Sequence, residues 1–139
     1  MAGDDVGFLL AKASTHFNEL LLGRFVEAGF PGIRGSFGSL LLPLFERDGR
    51  RVGELAVAGR LSKQSMTGLV AACEHAGLVE RERDPADGRA FVVRLTTHGR
   101  RFQSVAQRVL DELDHELRDA LGPKNHDALI KALKGVMEL

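Results

Sequence analysis

Residues 62–95 constrain the fold most tightly. Ser62 precedes a run in which Met66, Leu69, Val70 and Cys73 recur at helical steps, and Gly77 closes it. A serine hydroxyl accepts one of the orphan N–H groups of a first helical turn, and glycine ends helices by entering the left-handed conformation without a Cβ clash. Directly after Gly77, residues 78–83 and 90–95 read as strands, with Phe91, Val93 and Leu95 alternating with Val92 and Arg94. Asp84-Pro85-Ala86-Asp87-Gly88 between them is dense in turn formers. Upstream, Val52, Leu55 and Ala56 mark a short helix ending near Gly59, with Leu61 inside. Two helices joined by a short glycine-containing turn form a helix-turn-helix, and the hairpin that follows makes it winged.

The flanking segments carry helical periodicity. Asp4-Asp5 can cap a first helix whose apolar positions include Phe8, Leu9, Phe17, Leu20, Leu21 and Phe25, and which Gly29 and Pro31 end. A second helix is expected over residues 33–46, with Pro43 kinking or weakening it. Thr96 or Thr97 caps a long helix over residues 98–121, with Phe102, Val105, Val109, Leu113, Leu117 and Leu121 as its stripe. Gly122-Pro123 breaks that helix, and a last one starts near residue 125 with Leu129, Ile130, Leu133, Val136 and Met137. The fold class is therefore mainly α with a small β-hairpin wing. A single domain spans 1–139, with the winged part at 33–97 between helices at 4–29 and 98–139.

Charge gives the first functional pointer. The 139-residue chain has 19 basic and 19 acidic residues, yet residues 47–108 hold twelve Lys/Arg against seven Asp/Glu. A basic island between acidic flanks suits a polyanion. No apolar run approaches the roughly 20 residues that span a bilayer. The first residues are acidic and unlike a signal peptide. Cys73 is the single cysteine, so no internal disulfide can form and a reduced, cytoplasmic protein is expected.

Enzyme chemistry finds no footing. Cys73 and His75 point apart on a helix, and there is no phosphate loop. The histidines at 16, 75, 98, 115 and 126 are scattered, so no metal or other cofactor is expected. Cys73 falls on the apolar face of its helix, where an inert buried thiol is expected and not a redox sensor.

Gly53-Glu54-Leu55-Ala56, Gly77-Leu78-Val79-Glu80-Arg81, Asp84-Pro85-Ala86-Asp87-Gly88-Arg89-Ala90 and Leu95-Thr96-Thr97-His98-Gly99 together resemble the multiple-antibiotic-resistance regulator (MarR) family of winged-helix regulators. The match covers about a third of the chain. It departs at Gly68, where many members carry a basic residue after the threonine of the recognition helix. The resemblance implies a homodimeric transcriptional regulator, a repressor that binds palindromic duplex DNA. It also implies release by a small aromatic or anionic ligand.

On that reading Arg89 enters the minor groove, which favours a long cation. Asp87 pairs with an arginine and steadies the loop, and Arg81 and Arg83 sit near the stem. The recognition helix presents Ser62, Lys63, Gln64, Ser65 and Thr67 to the major groove, and Arg60 meets the backbone. His16, Phe17, Arg24 and Phe37 are the candidates for the effector. The alternative is a winged-helix module for protein–protein contact, which would lack salt-dependent affinity for duplex DNA.

Overall fold

The computed structural model describes residues 3–139. Helix α1 (Val6–Glu27) is capped by Asp5, whose carboxylate accepts the Phe8 N–H at 3.2 Å. Gly29, at φ +94°, lets the Phe30 N–H return to the Phe25 carbonyl at 2.8 Å, closing the helix.

A 3₁₀ turn (Gly35–Phe37) leads into α2 (Gly38–Glu46). The helix expected from residue 33 thus starts later, because Ile33 and Gly35 are weak helix formers and no side chain caps this entry. Pro43 is buried inside α2, which continues through it. Having no N–H, Pro43 leaves the Ser39 carbonyl without its helical partner. Gly59 packs there: a Cβ at position 59 would lie 2.5 Å from that oxygen.

Strand β1 (Arg50–Arg51) runs straight into α3 (Val52–Ala58), and α4 (Lys63–His75) follows. The wing is β2 (Val79–Asp84) and β3 (Asp87–Leu95). The sheet is antiparallel in the order β1-β3-β2, with Arg51 opposite Val92 and Val79 opposite Leu95. The hairpin therefore carries a third strand absent from the sequence reading. Its connection is also shorter than the expected five-residue loop: only Pro85 and Ala86 turn, and β3 already includes Asp87 and Gly88.

Helix α5 (Thr97–Leu121) starts from Thr96, whose hydroxyl accepts the Gly99 N–H at 3.0 Å and donates to the Gly77 carbonyl at 2.6 Å. Gly122 and Pro123 do break the chain, but Pro123 is already the first residue of α6 (Pro123–Met137), a position where its missing N–H costs nothing.

One core joins these elements. Leu40, Leu44, Leu55, Met66, Val70, Leu78, Val93, Phe102 and Val109 are buried, and Leu61, expected inside, is half-buried. Phe25 of α1 meets Phe102 of α5 edge to face, 4.8 Å between ring centres. Burial of each large apolar side chain contributes about 1.5–3 kcal/mol. Outside the core, the first half of α1 (Phe8, Leu9, Leu10) and α6 (Leu129, Ile130, Leu133, Val136) leave apolar side chains exposed. Among the described residues, no helix is long and apolar enough to cross a membrane.

Candidate nucleic-acid interface

Helix α4 is held from one side only. Met66, Val70 and Cys73 are buried, while Lys63, Gln64, Ser65, Thr67 and Gly68 are exposed. Ser62 caps it: its hydroxyl oxygen accepts the Ser65 N–H at 3.0 Å and its proton goes to Ser65 Oγ at 2.9 Å. Thr67 Oγ1 donates to the Lys63 carbonyl at 2.8 Å, which fixes its rotamer and leaves its oxygen able to accept. Beyond the cap, the first-turn N–H groups and the positive helix end face solvent, an arrangement that favours phosphate. Gly68 sits in open space, with nothing within 4 Å of a Cβ there. Gly68→Ala is therefore expected to stabilise the protein by about 0.5–1 kcal/mol, read as a rise in Tm. A fall in Tm would show that the glycine is needed where it stands.

The turn before α4 is unusual. Arg60 has φ +55°, the left-handed region, and Leu61 N–H returns to the Ala56 carbonyl at 2.9 Å. Arg60 thus fills the position that glycine commonly takes after a helix. Its guanidinium lies 3.4 Å from the Met137 carbonyl at the end of α6.

In the wing, the Arg89 side chain is 94% exposed. It stands two residues into β3 and not at the turn itself. Asp87 Oδ1 accepts both the Arg89 N–H at 3.1 Å and Arg89 Nε at 3.4 Å. Arg83 is opposite Phe91, lies 5.2 Å above its ring and donates to the Gly88 carbonyl at 2.5 Å. Arg81 pairs with Glu74 at 3.1 Å, tying β2 to α4. Three more carboxylates of the basic island are engaged: Glu54 by Arg47, Glu82 by Arg94 and Asp84 by Arg51. Asp48 accepts the N–H groups of Gly49 and Leu95, each at 2.9 Å. Arg51 and Glu74 were missed by sequence reasoning, because their partners lie 33 and 7 residues away and no local pattern pairs them.

The four effector candidates do not share one cavity. His16 is exposed beside Glu19, and Phe17 is half-buried against the core. Arg24 is held by Glu116 through two hydrogen bonds, the Nη2–Oε1 one at 2.9 Å, and borders a groove between α1 and α5. That bond lowers the Glu116 carboxyl below its ordinary range. Phe37 instead lines a small apolar cavity of about 80 Å³ with Phe25, Phe45 and Phe102, and Arg34 borders it.

Cys73 is fully buried, and burial pushes its thiol up to about 12. Native protein is expected not to react with a thiol reagent near about pH 8, while unfolded protein reacts at its one cysteine. Rapid labelling of the native protein would contradict this. Among the described residues, no cluster of three or more His, Cys, Asp or Glu side chains could hold a metal.

A three-stranded wing packed behind a one-sided polar helix defines a winged helix-turn-helix protein. A family model described as the MarR family matches residues 43–90. Over 101 residues the chain is 31% identical to an uncharacterized HTH-type transcriptional regulator of Mycobacterium leprae, covering 73% of this chain and 71% of that one. The repressor CouR bound to a 23-mer DNA duplex is similar with a TM-score of 0.80 at 26% identity, covering 97% of this chain and 94% of that one. CouR of Rhodococcus jostii RHA1 bound to p-coumaroyl-CoA is similar with a TM-score of 0.74 at 25% identity, covering 96% and 92%. The chain belongs to the MarR family and is a DNA-binding transcriptional regulator.

Proposed function

We propose that this protein is a cytoplasmic, homodimeric repressor that reads a palindromic operator and leaves it when a small ligand binds. The observation that carries this reading is the pairing of a solvent-facing polar face on α4 with a wing whose Arg89 is 94% exposed. Lys63 and Gln64 lie in the first turn of α4, where phosphates and base edges are reached, and Gln can bond adenine in bidentate fashion. Ser65 offers a hydroxyl proton to phosphate; Ser62 and Thr67 must first turn theirs away from Ser65 Oγ and the Lys63 carbonyl, while the Thr67 methyl suits a thymine methyl, and Arg60 offers a backbone contact. Arg89 reaches for the minor groove, steadied by Asp87, while Arg81 and Arg83 shape the stem.

The exposed apolar faces of α1 and α6 support a second copy as their cover, since such contiguous patches rarely stay open on a monomer. A two-fold pair sets two α4 helices about 34–36 Å apart, one turn of duplex.

The cavity of about 80 Å³ beside Phe37 supports an aromatic effector, with Arg34 available to an anionic group. It is far below the roughly 300 Å³ of ordinary ligand sites, so a ligand must spread α1, α2 and α5 to enter. Such a ligand acts by preferring the spread arrangement over the DNA-binding one. CouR, with its p-coumaroyl-CoA complex, supports a ligand of that general kind.

The test is binding to a duplex selected by the protein from random sequence, followed across salt. The expected result is a loss of about 10³-fold or more between roughly 50 and 200 mM salt. No affinity in dilute buffer, or affinity indifferent to salt, would overturn the reading.

A further inference from the structure

We propose that Arg51 is a positioning residue for the wing, acting on DNA binding through Asp84 without touching DNA. The proposal rests on the wing reading above. Arg51 is the last residue of β1 and immediately precedes α3, so its backbone is fixed by the ladder to Val92 and by the helix-turn-helix at once. Its guanidinium forks onto one oxygen of Asp84: Nε and Nη2 donate to Oδ2 at 2.9 and 2.6 Å.

The other oxygen of Asp84 accepts the Ala86 N–H at 2.9 Å. One carboxylate is thus shared between the helix-turn-helix and the wing's turn. It is well placed to matter, because the β2–β3 register breaks between Arg83 and Asp84, where the ladder alone no longer fixes the chain. Across the turn Asp84 faces Asp87, the residue that holds Arg89. Two carboxylates directly opposite repel, and the Arg51 guanidinium offsets that repulsion. The Ala86 N–H, and after it Arg51, hold the Asp84 carboxyl below the usual carboxylate range. The Asp84 side chain is 13% exposed and the Arg51 side chain 44%, so solvent screens the pair from the arginine side, and its weight lies in the fork geometry more than in charge. The fork ties the start of α3 to Asp84, and the backbone pairing of Asp84 with Asp87 carries that tie across the turn to the residue that holds Arg89, so the wing's tip is fixed relative to α3.

Asp84→Asn separates positioning from contact. Asparagine keeps an oxygen for the Ala86 N–H and loses the charge that Arg51 grips. If Arg51 touched phosphate directly, removing a nearby negative charge would strengthen binding. If it positions the wing, Asp84→Asn weakens binding. The experiment is anisotropy of a duplex selected by the wild-type protein from random sequence, with the thermal transition of each variant recorded. The expected result is a loss of about three- to tenfold for both Arg51→Ala and Asp84→Asn, with partial recovery in Arg51→Lys. In an Arg89→Ala background, Arg51→Ala adds less than about twofold, because the residue it positions is gone. Tighter binding by Asp84→Asn, or a full further loss from Arg51→Ala in that background, overturns the proposal. If Arg89→Ala weakens binding and Arg51→Ala does not, the proposal alone fails. If Arg89→Ala is silent, the wing reading fails with it.

Discussion

Gly99→Ala is expected to destabilise the protein by at least about 3 kcal/mol, roughly 10 °C of Tm for a chain of this size. A Cβ at position 99 would lie 2.0 Å from the Leu78 carbonyl oxygen and 3.1 Å from its carbon, with Leu95 Cδ2 at 3.3 Å. That carbonyl cannot move aside freely, because it accepts the Thr96 N–H at 3.0 Å. Leu78 is itself fully buried at the junction of α4 and β2. Relief would have to come from shifting the start of α5, which is fixed by the Thr96 cap and its bond to Gly77. Helix propensity works the other way, since alanine is better than glycine in a helix by about 1 kcal/mol. The two effects differ in sign, and steric overlap with backbone is the larger. Urea or thermal unfolding decides the matter, and a loss below about 1 kcal/mol would mean that α5 is not pressed against Leu78.

Arg89→Ala is expected to cost about 1–3 kcal/mol of DNA affinity for each half-site contacted, or roughly 5- to 150-fold. The side chain is 94% exposed and bonded only to its neighbour Asp87, so Tm should be unchanged. Losing the cation also leaves Asp87 unneutralised at the DNA surface, which adds repulsion. Arg89→Lys is expected to recover part of the loss, because an ammonium is more strongly hydrated and enters a narrow groove less readily. Equal operator affinity for Arg89→Ala and the wild type, at matched salt, would contradict a DNA-contacting wing.

Features governed by neighbours in the chain were legible in the sequence. Ser62 before an apolar helical run, Gly77 after it, and Asp84-Pro85 at a turn each act within four residues, and the structure shows each doing so. Strand β1 was invisible because two residues carry no alternation, and its pairing with β3 depends on residues about 42 positions away. The need for glycine at 99 and at 59 was equally hidden. Each looks like a weak helix residue until Leu78 and Ser39 bring their carbonyls against it.

Charge misled in a specific way. The basic island suggested many cations facing outward, yet Arg47, Arg51, Arg81 and Arg94 each meet a carboxylate of the same island. The effector residues were the least legible. Arg24 was drawn from its place beside aromatic residues on α1; the structure adds its partner Glu116 of α5 and sets it on a groove apart from the cavity that Phe37 lines and Arg34 borders.

The central claim is that a two-fold pair lays α4 in successive major grooves with Arg89 in the flanking minor grooves. Hydroxyl-radical footprinting on a duplex selected by the protein tests it most directly. The account predicts two equivalent protected segments, their centres about one helical turn apart, with flanking minor-groove protection that disappears in Arg89→Ala. A single one-sided footprint, or flanking protection that persists without the arginine, would contradict it.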